Sequence, residues 1–279
     1  DGDGLIDEDY GVVSECDAYV TYSDTVTDRQ TTNHLPLGIQ VKQKSYAWRS
    51  RVKEPILPFE YFFINVGKRI LDSVFVGFFA DCDVGPTSTN GYYQRNFSGY
   101  LNDVRTAYVS NPQDRPSTPI GITVLGAPKP LDSLCYTFQR YPGDLTPRTD
   151  PARYRMMASC DIRADEYPQL SDTRFFFSFG PFARMKPGDT LHIAVALISG
   201  EGITEGQNNL KENAAKAIEL YTRGFTAPPV PPAPPLRLTP GNDRVTLDWS
   251  WPPPDSLAWT KCNPLDTWDD SNKFISTLP

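Results

Sequence analysis

Through much of the chain apolar residues recur at every second position, the period of a strand with one buried face. Residues 18–26, 37–48, 59–66 and 70–80 read this way and are rich in β-branched and aromatic side chains. Gly67-Lys68-Arg69 lies between the third and fourth of these runs and is a hairpin signal. Residues 84–118 hold Gly, Asn, Ser, Pro and Tyr and read as a long loop region with one strand near 106–109. Residues 121–125 and 134–139 are further short strands, and 140–169 is polar and dotted with proline. Residues 174–179 and 190–198 are the last strong strands, separated by the turn Lys186-Pro187-Gly188-Asp189.

The period then changes. Leu210, Ala214, Ala217, Ile218 and Tyr221 fall on one face of a helix, which predicts a helix near 205–223 packed on a sheet. Thr204 and Gln207 form a capping-box pattern, and Gly224 suits the left-handed residue after the last turn. The run from Ala227 to Pro235 is a stiff polyproline spacer, so the domain boundaries fall at 1–11, 12–225, 226–235 and 236–279. The fold class is mainly β: an antiparallel β-sandwich with one C-terminal amphipathic helix, then the start of a second β-sandwich.

Composition narrows the function. The 279 residues are 39% hydrophobic and 22% charged, enough apolar mass for a core. The 27 prolines are close to double the usual ~5% and argue against a mainly helical protein. The net charge of -7 makes nucleic acid a poor partner, and no stretch approaches the ~20 apolar residues of a membrane-spanning helix. The chain opens without an initiator Met, which marks it as a processed product or a piece of something longer. Five cysteines form no CxxC pair, so a zinc ribbon is not expected. Buried free thiols account for them, and so do one or two disulfides in a secreted protein. With Cys262 set aside, the other four allow three pairings. Cys135–Cys160 is favoured as the pair closest in sequence, which leaves Cys16–Cys82.

The N-terminal Asp1-Gly2-Asp3-Gly4-Leu5-Ile6-Asp7-Glu8-Asp9 resembles calcium-binding repeats of the thrombospondin type 3 and dockerin-like kind. Ca²⁺ takes 6–8 oxygen ligands, and spaced carboxylates in a tight glycine-bearing loop supply them. The candidate structural Ca²⁺ ligands are the side chains of Asp1, Asp3 and Asp7, the Leu5 carbonyl, and Glu8 or Asp9 to close the shell. Such repeats carry another Asp upstream of Asp1; without it the leader is alternatively a solvated acidic tail.

Gln43-Lys44-Ser45-Tyr46-Ala47-Trp48, then 59–83, Phe177-Ser178-Phe179-Gly180-Pro181-Phe182, Pro187-Gly188-Asp189-Thr190 and Ser199-Gly200-Glu201-Gly202 resemble, in that order, a family of large secreted surface proteins of Bacteroidetes-like bacteria. That resemblance implies export by type IX secretion and an extracellular or cell-surface location, and it brings no catalytic residues. After the spacer, Leu236-Arg237-Leu238 and Val245-Thr246-Leu247-Asp248-Trp249 resemble the opening of a fibronectin type III module, of which only about half the ~100 residues follow.

Catalytic constellations are sparse. The two histidines, His34 and His192, would both have to meet a carboxylate to hold zinc. No G-x-S-x-G elbow and no phosphate loop is present. Paired carboxylates are the enzyme option: Glu60 in mid-strand and Asp81 or Asp83 after the next strand suit a glycoside hydrolase if a hairpin brings them together, with Tyr46 and Trp48 as a sugar platform. The plain alternatives are a Glu60 paired with Arg or Lys and Asp residues serving a turn. Asn96-Phe97-Ser98 fits a glycosylation sequon. The reading that absorbs most of these features is a non-catalytic extracellular structural or adhesive module. Its expected partners are other domains of the same longer chain, copies of itself or other surface proteins, and glycans. The alternative is a carbohydrate-binding module using Tyr92, Tyr93 and Tyr100.

Overall fold

The computed structural model describes residues 13–24, 35–49, 53–114, 118–142, 147, 149–164, 168–203, 209–225, 237–241 and 244–248. The chain divides into two compact units, one running to Phe225 and one from Thr226 onward. The first unit is mainly β. Its larger sheet has seven strands: β1 (Cys16–Ser23), β2 (Ile39–Ala47), β3 (Ile56–Asn65), β5 (Phe97–Leu101), β6 (Thr106–Ser110), β7 (Ile120–Gly126) and β11 (Thr190–Ser199). They lie in the order β1-β2-β3-β11-β7-β6-β5, every neighbouring pair antiparallel. The smaller sheet has four, β4 (Val74–Ala80), β8 (Cys135–Pro142), β9 (Ile162–Arg163) and β10 (Thr173–Phe182), in the order β4-β10-β8-β9.

The two sheets face each other across one aromatic core. In β10 the period-two residues Phe175, Phe177 and Phe179 point inward and are almost fully buried. Phe177 stacks near Tyr136 and Tyr100, and Phe138 stacks on Tyr100. Burying each ring is worth about 1.5–3 kcal/mol of transfer free energy, which makes this row the main driving force for sheet pairing. β11 reads as a nearly unbroken apolar run because both its faces are covered. Leu191, Ile193 and Val195 face the core, while Ala194, Ala196 and Ile198 are buried on the other side. Arg140 is buried within the sandwich, donates to the Ser98 carbonyl at 2.8 Å and lies over the Phe97 ring.

Helix α2 (Leu210–Thr222) packs on the outer face of the larger sheet, against β7, β11 and β3. Leu210, Ala214 and Ala217 of the expected stripe are fully buried, joined by Leu220. The helix starts later than the capping-box pattern implied. Asn209 is its N-cap, the side chain accepting from Glu212 N at 2.8 Å, and 204–208 lie outside the described residues. Gly224 takes the left-handed conformation after the last turn, at φ 63°.

The structure departs from the expected elements at three further places. The polar stretch 140–169 contains a second helix, α1 (Asp150–Met157), which packs against β4 and β10. The loop region 84–118 contains β5 as well as β6. The reversal at Gly67-Lys68-Arg69 does not make a hairpin: β3 belongs to the larger sheet and β4 to the smaller, so the connection crosses between sheets, tied by an isolated bridge from Leu71 to Met185.

Cys135 and Cys160 form a disulfide, with Cα atoms 5.2 Å apart, stapling the start of β8 to the turn between α1 and the short β9 segment. Cys16 and Cys82 are free thiols, so the second expected bridge is absent. Cys16 begins the outermost strand of the larger sheet, and Cys82 follows β4 in the smaller one.

In the second unit the described residues form one antiparallel hairpin, β12 (Arg237–Gly241) with β13 (Arg244–Asp248), Leu238 opposite Leu247. Val245 and Leu247 share a face and are exposed.

Candidate functional site

Glu60 sits in the middle of β3, flanked across the sheet by Lys44 of β2 and Ala194 of β11. Alternation turns it away from the sandwich core, on the side that carries α2. Its hydrogen-bond partners are Tyr46 and His192, and the Lys44 charge adds a weaker attraction. The Tyr46 hydroxyl donates to Glu60 Oε2 at 2.6 Å, and His192 Nε2 lies 2.9 Å from Oε1. The His192 ring stacks flat on Phe62, 4.4 Å between centroids. The hydrogen bond from His192, helped by that from Tyr46, holds the Glu60 carboxyl below its ordinary value against the opposing effect of burial. An ionised carboxylate only accepts, so His192 donates through Nε2–H. Burial first and Glu60 second push the Tyr46 phenol well up. Over the cluster, Phe225 at the end of the first unit packs on Tyr46 at 4.8 Å.

This arrangement fixes three side chains in place. A general acid for glycoside cleavage needs a raised carboxyl pKa, and that of Glu60 moves the other way. Asp81 is ion-paired with Arg174 at 2.8 Å and follows β4, in the opposite sheet from Glu60. The structure therefore does not bring Glu60 and Asp81 together through a hairpin. Tyr46 is buried under Phe225, so it offers no sugar platform.

The other sequence candidates disperse. Tyr100 is in β5 and its ring belongs to the core, which pushes its phenol up through burial. Only Tyr92 and Tyr93 stay together, edge to face at a 3-10 turn. Asn96 is fully buried: its Nδ2 donates to Tyr93 O at 2.8 Å and its Oδ1 accepts from Val84 N. The sequon is thus a folding element in the native state. Asp1, Asp3, Leu5, Asp7, Glu8, Asp9, His34 and Cys262 lie outside the described residues. Among the described residues no group of three or more His, Cys, Asp or Glu is placed to hold a metal ion.

Clefts indent the described part of the first unit. One, of about 550 Å³, is lined in part by Glu54, Asp83 and Glu201. Burial, then Asp172 and Asp81, push the Asp83 carboxyl up. Another, of about 680 Å³, is apolar and opens beside β4, at the end of the smaller sheet. Its walls include Val41 and Phe63 of the larger sheet, Phe78 of the smaller one, and Met185. Its two carboxylates are engaged. Asp24 accepts from the backbone N–H groups of Leu37, Gly38 and Ile39, and Asp72 is paired with Arg184 at 2.8 Å. Tyr61 presents its phenol there, pushed up to about 12 chiefly by burial. Sequence reasoning missed this cleft because it depends on which strands end up at a sheet edge. No family model and no curated protein matches the chain.

Proposed function

We propose that the chain is a non-catalytic extracellular structural or adhesive module, part of a longer surface protein or an extracellular assembly. The observation that carries this reading is the apolar cleft beside β4, whose charged groups are already engaged. Such a cleft binds by burying surface, and its two carboxylates are held in contacts within the chain. The Cys135–Cys160 bridge supports an oxidising location, since persistent disulfides are rare in reducing compartments. The carbohydrate-binding alternative is weakened by the placement of Tyr100 in the core. The acidic leader fits the same role as a structural Ca²⁺ site in front of the module.

Beads coated with the oxidised full chain test the reading. They are expected to be retained on surfaces bearing extracellular proteins, glycans or the same chain, and Asp83→Asn and Glu60→Gln are expected to leave retention unchanged. Turnover of a glycoside panel that Asp83→Asn or Glu60→Gln abolishes would show an enzyme instead.

A further inference from the structure

β4 is an unusual edge strand. Edge strands are normally protected by charge, proline, bulges or short length. The other edge of its own sheet, β9, is only two residues long. β4 reads Val-Phe-Val-Gly-Phe-Phe-Ala, seven residues with no charge and no proline, and among the described residues only β10 pairs with it. At ~3.4 Å per residue that is an unpaired edge of about 24 Å. Both of its faces are apolar. Val76, Phe78 and Ala80 point into the core, whereas Phe75 and Phe79 point away from it, toward Tyr154 and Tyr141.

The shape of the cleft follows this edge. Every residue from Val74 to Phe79 lines it. Consecutive residues of a strand alternate between faces, so a cavity that touches all six runs along the backbone edge and not over one face. The roof is the larger sheet. Tyr61 of β3 lies over Phe78 of β4, 5.9 Å between rings. β2 and β1 continue the larger sheet past that point by two strands, about 10 Å. Tyr22 of β1 is opposite Val41, and Val41 is opposite Phe63 of the core face, so Tyr22 belongs to the inner face of this overhang. Val20, two residues earlier, shares that face. They remain 47% and 45% exposed.

We propose that the edge of β4 accepts one extended segment of another polypeptide, which adds a fifth strand to the smaller sheet beneath β1 and β2. This rests on the reading of the chain as a binding module and names its partner. The segment pairs its backbone with the free edge of β4. It places apolar side chains at alternate positions under Val41, Val20 and Tyr22, and its other side chains beside Phe75 and Phe79. It is uncharged through its middle, because Asp24 and Asp72 are committed within the chain. A second copy pairing β4 with β4 in antiparallel fashion does not fit. The two-fold axis would be normal to the sheet and would bring both larger sheets to the same side, where the two overhangs collide. Strand addition of this kind draws affinity from main-chain hydrogen bonds and specificity from alternate side chains.

A phage-displayed library of random nine-residue peptides, selected on the immobilised disulfide-bonded full chain, tests the proposal. Enriched sequences should carry apolar residues at every second position. The most enriched peptide, synthesised and added to the protein, should slow hydrogen exchange of alternate backbone amides across Val74–Ala80. Phe79→Lys, at a half-exposed position, and Val20→Lys should each weaken that peptide at least tenfold while the melting temperature holds. Absence of enrichment, enrichment without the period of two, or protection outside β4 would overturn strand addition. Retention of the coated beads that neither substitution alters would also overturn it while leaving the module reading intact. Glycoside turnover lost in the carboxylate variants would remove the module reading itself.

Discussion

Replacing Cys135 and Cys160 together by serine should cost the first unit a large share of its stability. The bridge closes a segment of sequence separation 25. In the chain-entropy treatment a loop of that size restricts the unfolded ensemble by about 3.5 kcal/mol at 25 °C. Native contacts do not replace that term. Ser178 Oγ and Thr137 Oγ1 both donate to Met157 O, and Cys160 N donates to Thr137 Oγ1, so the same segment is held in the folded state with or without the sulfurs. Those bonds preserve the native geometry, and the loss falls on the unfolded side of the balance. For a unit of this size about 3.5 kcal/mol corresponds to a fall in melting temperature of roughly 7–14 °C. The assay is thermal unfolding followed by circular dichroism on the double variant and on the parent with and without reductant. A Cys16→Ser, Cys82→Ser variant serves as control, and it should melt with the parent because both thiols are free. A loss under about 1 kcal/mol in the Cys135, Cys160 variant, or an equal loss in the control, would refute the reasoning.

Glu60→Gln should reduce stability at neutral pH and flatten its pH dependence. The folded Glu60 carboxyl lies below its ordinary value of 4.5, so its contribution is present above that value and is lost as pH falls through the folded one. Chemical denaturation of both proteins from about pH 7 down to pH 3 should show the gap closing. Asn96→Ala should cost about 1–3 kcal/mol by leaving Tyr93 O and Val84 N without their buried partner, and the folded protein should take up no glycan at Asn96 from an oligosaccharyltransferase. Gly126→Ala puts a Cβ into the Tyr221 ring and should cost about 1–3 kcal/mol by displacing it from Phe225, read by thermal melting. Addition of CaCl₂ to metal-free protein should raise its melting temperature, and an Asp3→Ala, Asp7→Ala variant should show a smaller rise or none.

Much of the first unit was legible because its residues obey one period at a time. Phe175, Phe177 and Phe179 alternate cleanly, and the stripe from Leu210 to Tyr221 is helical before any partner is known. α1 gave no such signal. Asp150-Pro151-Ala152-Arg153-Tyr154-Arg155-Met156-Met157 carries no apolar face. Tertiary contacts hold it instead, with the Tyr154 ring edge-on to Phe75 and its hydroxyl donating to Ser73 O. Local propensity is a weak prior where contacts of this kind decide. The reversal at Gly67-Lys68-Arg69 was visible, but a turn does not reveal whether the chain re-enters the same sheet or crosses to another. Glu60 stood out as a charge among aromatics, and its partner His192, 132 positions away, could only come from the fold.

The cleft was illegible for a related reason, and its sequence signal is clear only in retrospect. A run such as Val74–Ala80, apolar at every position, normally means a strand covered on both faces and paired on both edges. The fold supplies the core on one face, Tyr154 and Tyr141 on the other, and β10 on one edge. The second edge is the missing neighbour. Sequence encodes the demand of β4 for that neighbour, and strand order leaves the demand unmet among the described residues. β1 is the counterpart, exposed along nearly its whole length while still carrying Val20 and Tyr22 on its inner face. An exposed apolar pair under an overhang and an unprotected apolar edge beside it are each a cost to an isolated domain. One added strand relieves both, which is why the two features are best understood as halves of a single receiving site.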